Sequence, residues 1–197
     1  PSMYNSIRDG EIERLDSVST IADGIAVKQP GENTYALVKE YVDEIALVTD
    51  DEVSSAILAL IEKQKMIAEG AGAAAVAAVM FDKFDLKDKR VVAVVSGGNI
   101  DVTSLSRVID RGLWNSGRST VLLIELIDKP GQLMEISRII ANLGGNVTGV
   151  HYEKGNTESV TGCFLRIEME TRDFDHVNKI KQSLRDEGFK IVKEIKK

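Results

Sequence analysis

Five consecutive apolar residues, Val91-Val92-Ala93-Val94-Val95, break directly into Ser96-Gly97-Gly98-Asn99. A β-branched run without alternation has no wet side. It predicts a strand covered on both faces, as in a parallel sheet between helices. The small polar turn after it would lie at the carboxyl end of that strand, where open α/β sheets hold their ligands. Glycines there let the backbone approach a ring or an anion, and Ser96 adds one hydroxyl able to donate or accept. On pattern alone, the turn is equally a plain strand-to-helix connection.

The residues before this run read as alternating helix and strand. Asn33 to Tyr41 has helical spacing, and Glu44 to Val48 is a short apolar strand. Thr49-Asp50-Asp51-Glu52 has the form of a capping box, with acids suited to the positive end of a helix. The helix it opens, Val53 to about Met66, puts Val53, Ile57, Leu60 and Ile61 on one face. Glu69 to Ala78 is a helix of very small side chains, able to pack close to a neighbour. A further helix is expected to start near Asp101 or Thr103 and run to Leu113. The polar stretch Asn115-Ser116-Gly117-Arg118-Ser119 marks a linker, dividing the chain into residues 1–118 and 119–197.

The second part has a different rhythm. Val121–Ile127 predicts a strand, and Asp128-Lys129-Pro130-Gly131 a tight turn into a helix carrying Leu133, Ile136, Ile140 and Leu143. Gly144-Gly145 ends that helix, and Asn146–Tyr152 is the next strand. Gly155-Asn156 predicts a bend. Cys163, Leu165, Ile167 and Met169 then alternate with Phe164, Arg166, Glu168 and Glu170, the period of a half-buried strand. Phe174, Val177, Ile180 and Leu184 predict a helix, and Phe189–Ile195 a last strand. The order βαββαβ is ferredoxin-like. Trp114, Phe164 and Phe174 are expected to pack rather than to touch a ligand.

Composition removes several function classes. The net charge of −6 is spread without a basic stripe, which argues against nucleic acid. The most apolar stretch, Ala71 to Phe81, is too short to span a bilayer, so no membrane partner is expected. Cys163 is the only cysteine; no bridge can form within the chain, and a reducing cytoplasm is the natural setting. His151 and His176 have no second ligand at zinc spacing, so no metal is expected. Pro1-Ser2-Met3-Tyr4 is an unusual beginning, and the chain is expected to be an excised piece of a longer protein.

Ser2-Met3-Tyr4, the run from Ser19 to Lys28, Glu69-Gly70-Ala71-Gly72-Ala73 and Ser96-Gly97-Gly98-Asn99 stand in the order seen in the threonine dehydratases, which this chain resembles. Serine racemase is similar in the same places. The resemblance implies part of a fold type II domain dependent on pyridoxal 5'-phosphate (PLP), with Ser96 hydrogen-bonded to the pyridine nitrogen. Gly97 and Gly24 would lie beside the cofactor and Glu69 near its ring. Without the resemblance, Gly24 is a turn glycine and Glu69 an acid favoured by a helix N-terminus. The family's Schiff-base lysine lies in a Ser-Phe-Lys motif absent here, and Lys28 is not that lysine. No catalytic residue is therefore expected in this chain, which by itself should be inactive.

Asp128-Lys129-Pro130-Gly131-Gln132-Leu133, the helix after it and Gly144-Gly145-Asn146-Val147 resemble an ACT domain, a regulatory module that binds amino acids. The resemblance implies an effector held by Asp128, Gly131, Gln132, Leu133, Asn146 and Val147, between paired copies of a homo-oligomer. Free N–H groups at a glycine turn suit a carboxylate. The implied whole is L-threonine deamination to 2-oxobutanoate and ammonia, with isoleucine as feedback ligand. The alternatives are a serine dehydratase or racemase, and a stand-alone amino-acid sensor.

Overall fold

The computed structural model describes residues 1–153 and 162–195; the bend expected at Gly155-Asn156 lies outside them. The chain forms two compact units, Pro1–Gly112 and Leu113–Lys197.

The first unit is helical. Its elements are α1 (Ser2–Asp9), a single 3-10 turn at Asp23–Ile25, α2 (Glu32–Tyr41), α3 (Asp50–Ala59), α4 (Gly70–Met80) and α5 (Val102–Asn115), which runs across the division. The capping box at α3 is complete. Thr49 N–H donates to Glu52 Oε2 at 2.8 Å, and Glu52 N–H to Thr49 Oγ1 at 3.3 Å. The helix does not reach Met66 as a regular α-helix. It widens into a π turn over Leu60–Gln64 and stops at Lys65, whose φ of 57° is left-handed. Lys65 N–H bonds to the Ile61 carbonyl and Met66 N–H to the Leu60 carbonyl, both at 3.2 Å, an αL closure with lysine where glycine is usual, widened by the π turn. Asp101 starts α5 by accepting from Thr103 and Ser104 N–H at 2.9 and 3.0 Å.

Val53, Ala56 and Ile57 of α3 and Leu60 of the π turn pack on Ala73 and Ala77 of α4 and Val108 of α5, all buried. Full burial of a side chain such as Ile57 is worth about 1.5–3 kcal/mol. The alanines of α4 let its backbone approach α3 closely, which explains the small-residue composition of that helix.

The strands expected at Val91–Val95 and Glu44–Val48 are not formed. Among the described residues of this unit there is no strand. Propensity alone does not make a strand; the ladder needs a neighbour to complete its hydrogen bonds. With none beside it, the run keeps its apolar side chains in the open: Val92 is 90% and Val94 67% exposed. Val95 alone turns partly onto the helical core.

The second unit has the expected order: β1 (Ser119–Ile127), α6 (Gln132–Asn142), β2 (Asn146–Glu153), β3 (Gly162–Glu170), α7 (Phe174–Asp186) and β4 (Lys190–Ile195). The sheet is antiparallel with spatial order β2-β3-β1-β4, a ferredoxin-like arrangement. Register pairs Leu122 with Ile167, Ile124 with Leu165 and Leu126 with Cys163. These side chains and Met169 form one face of the core. Ile136 and Ile140 of α6 and Ile180 and Leu184 of α7 form the other. The polar stretch before β1 is fastened to the sheet's end, with Thr171 Oγ1 donating to the Gly117 carbonyl at 2.6 Å and Thr171 N–H to the Arg118 carbonyl at 2.9 Å. The Phe174 ring lies against Gly117, a packing contact despite its exposure.

Candidate functional site

In the first unit, three chain segments meet at the start of α4. Asp50, in the first turn of α3, accepts from Thr20 Oγ1 at 2.5 Å and from Ile21 N–H at 3.3 Å. That pins the segment leading into the 3-10 turn and sets Gly24 beside α4. A Cβ on Gly24 would stand 3.1 Å from Ala71 Cβ and 3.5 Å from Glu69 Oε1.

Glu69 precedes the first helical residue but does not cap its own helix. Its carboxylate reaches across to the glycine turn, where Oε2 accepts from Asn99 N–H at 2.9 Å. Its backbone N–H donates to the Gly97 carbonyl at 3.1 Å. The turn and the helix touch backbone to backbone: a Cβ on Gly72 would lie 2.8 Å from Gly97 N, and one on Gly97 would lie 2.6 Å from Glu69 Cδ. Only glycine fits at 72, where the neighbour is backbone, whereas at 97 the Glu69 carboxylate would have to move. Thus Gly24, Glu69 and Gly97 come together, and Ser96 stands next to them. The Ser96 side chain is exposed, and its hydroxyl makes no hydrogen bond among the described residues. A ring nitrogen needs one such uncommitted donor. In this respect the residues present fit the pyridine edge of PLP; no lysine-bearing Ser-Phe-Lys motif accompanies them.

In the second unit, the expected effector residues split into two groups. Asp128 and Gly131 are exposed in the turn before α6; Gln132 is half-buried and Leu133 is 39% exposed. Gly131 precedes the helix with φ 93°, and no side chain caps the helix start, so its first N–H groups face outward. Asn146 and Val147 begin β2 beyond the other end of α6. That helix has 11 residues, a length of about 16 Å. Within one chain, therefore, the two groups do not meet. Asn146 Nδ2 is held by Glu170 Oε2 at 2.8 Å, and Val147 packs on the core.

Sequence reasoning missed Tyr152. It lies on β2 opposite Leu165, toward the Asp128 end of the sheet. Hydrogen bonding with the Cys163 sulfur, then burial, then the charges of Cys163 and Asp128 push its pKa up to about 12. Strict alternation from Val147 would have put Tyr152 on the opposite face; the register shift between Val147 and Gly149 turns it to the side of Leu165, and that shift could not be read locally. Among the described residues, no cluster of three or more His, Cys, Asp or Glu could hold a metal, and no helix is long and apolar enough to cross a membrane.

Comparison with known proteins shows what the chain is similar to. Residues 1–97 match the family model described as pyridoxal-phosphate dependent enzyme. The chain is 45% identical over 192 residues to an L-threonine ammonia-lyase of Thermotoga maritima, covering 97% of this chain and 48% of that protein. An L-threonine ammonia-lyase of Geobacter sulfurreducens is 38% identical over 190 residues, 96% of this chain and 47% of the relative. The chain thus spans about half the length of the curated relatives it matches. Among solved structures, the processed form of threonine deaminase isoform 2 from Solanum lycopersicum superposes with a TM-score of 0.50 and 36% identity, over 56% of this chain and 33% of that one.

Proposed function

We propose, from the premise that residues 1–97 belong to the pyridoxal-phosphate dependent enzyme family, that this chain is the C-terminal half of an L-threonine ammonia-lyase. The reaction is deamination of L-threonine to 2-oxobutanoate and ammonia, with L-serine a poorer substrate. The observation that carries the reading is the uncommitted Ser96 hydroxyl, standing where Gly24, Glu69 and Gly97 converge. Identity to two L-threonine ammonia-lyases over 96–97% of the chain, both units included, supports the substrate.

When bound, PLP supplies the electron sink for loss of the α-proton and the β-hydroxyl. The chain's own residues bind and orient it. Ser96 donates a hydrogen bond to the ring nitrogen, and a neutral hydroxyl leaves that nitrogen uncharged. Gly24 and Gly97 keep the approach free of side chains. Glu69 holds the turn that carries Ser96. Without a Ser-Phe-Lys lysine, the 197-residue chain alone forms no Schiff base and turns over neither amino acid.

Residues 119–197 act in this reading as an ACT-type module. The outward N–H groups at Gly131, Gln132 and Leu133 receive the carboxylate of a free amino acid, and Asp128 its ammonium group. Because α6 separates that turn from Asn146 and Val147, the site is completed by a second copy in a homo-oligomer. Isoleucine is the expected ligand, acting as feedback inhibitor of a cytoplasmic enzyme.

The test is turnover by the full-length gene product. Threonine should be preferred over serine, isoleucine should inhibit, and Ser96→Ala should lower kcat/KM by about tenfold or more, the loss of one transition-state hydrogen bond. Preference for serine would reassign the enzyme to the serine dehydratase or racemase group. An unchanged kcat/KM in Ser96→Ala would remove the proposed role of that hydroxyl.

A further inference from the structure

We propose that His176 is a positioning residue for Asn146 that acts through a single imidazole tautomer. This rests on the reading above that Asn146 contacts an amino-acid ligand. His176 is only 3% exposed. Its Nδ1 accepts the Arg172 N–H at 3.0 Å. That nitrogen therefore carries no proton, and Nε2 does. Nε2–H donates to the Leu143 carbonyl at 3.0 Å. The backbone N–H of His176 is taken separately by Asp173 Oδ1 at 2.8 Å, which starts α7.

Each partner leads to Asn146 by a different route. Leu143 closes α6 and precedes the Gly144-Gly145 turn into Asn146. Its carbonyl is among the terminal helix carbonyls that lack an intrahelical donor. Arg172 follows shortly after Glu170, whose carboxylate holds the Asn146 amide at 2.8 Å and which pairs with Asn146 in the β2–β3 ladder. One ring thus ties the backbone entering Asn146 to the backbone leaving Glu170. A ring that merely filled space would leave both backbone groups without these partners in a part-buried place, at the cost of two hydrogen bonds. The two nitrogens serve different ends: the Nε2 bond positions Asn146, and the Nδ1 bond fixes the tautomer that makes it possible.

Glutamine and asparagine separate the two ends, because Gln Nε2 can stand in for the imidazole Nε2 and Asn Oδ1 for Nδ1. The experiment is amide hydrogen exchange on the 197-residue chain and on its His176→Gln and His176→Asn variants. Gly144 and Gly145, whose N–H groups bond to Ala141 and Ile140 carbonyls at 2.9 Å, report on the turn. His176→Asn should exchange there about tenfold faster than the parent, and His176→Gln close to the parent rate, since one hydrogen bond is worth about that factor. Isoleucine affinity should follow the same order. If the two variants exchange alike at Gly144 and Gly145, whether both resemble the parent or both unfold, the proposal fails. An imidazole nitrogen NMR spectrum of the parent showing the proton on Nδ1 also overturns it. Should the parent bind no isoleucine, the ligand reading fails on its own, and the exchange pattern still decides the role of His176.

Discussion

The Glu69 carboxyl group occupies the space that a side chain at residue 97 would need: a Cβ built on Gly97 lies 2.6 Å from Glu69 Cδ. The same carboxylate accepts from Asn99 N–H at 2.9 Å. The acid and the glycine turn are therefore one unit.

Gly97→Ala should push the carboxylate off Asn99 and destabilise the first unit by about 1–3 kcal/mol, the usual cost of overpacking. In a Glu69→Ala background, the same change should cost much less, because the colliding group is gone. Urea denaturation of the four proteins gives the coupling. Equal costs in both backgrounds would show that the two residues do not share that space.

Tyr152 should titrate at about 12, held up first by its hydrogen bond to Cys163, then by burial, then by the charges of Cys163 and Asp128. An unfolded tyrosine titrates near ~10. Because the folded value is the higher one, the stabilisation is fully present below about pH 10 and is lost as pH rises through 12. Cys163→Ala removes the largest cause, so phenolate absorbance should appear at lower pH in that variant. An unshifted titration would mean that the sulfur bond is not what raises it.

Gly131→Ala introduces a Cβ into open space, since nothing lies within 4 Å of its position. Its cost should come from the left-handed backbone alone (φ 93°) and amount to about 1–2 kcal/mol by thermal or urea unfolding. A larger loss would point to a side-chain collision that the open surroundings do not contain. Isoleucine binding should weaken as well, because the first N–H groups of α6 depend on that turn.

Features legible from the sequence were those encoded within a few residues. The Thr49–Glu52 box joins residues three apart, and both of its bonds are present. The alternation from Cys163 to Met169 placed those four side chains in the core, because a strand's two faces follow directly from its geometry. The run Val91–Val95 misled for the complementary reason: its β-branched residues state a preference, but the ladder depends on a neighbour that the described residues of the unit do not offer.

By itself, the chain's order of residues determined the helices from α2 to α7 and the βαββαβ succession, because capping and periodicity act over a single turn or pleat. Only the tertiary structure decided that Glu69 grips Asn99 across 30 positions, that Tyr152 meets Cys163, and that His176 ties Leu143 to Arg172. Each of these bonds joins polar groups brought close by the burial of apolar side chains elsewhere, and such distances have no local code.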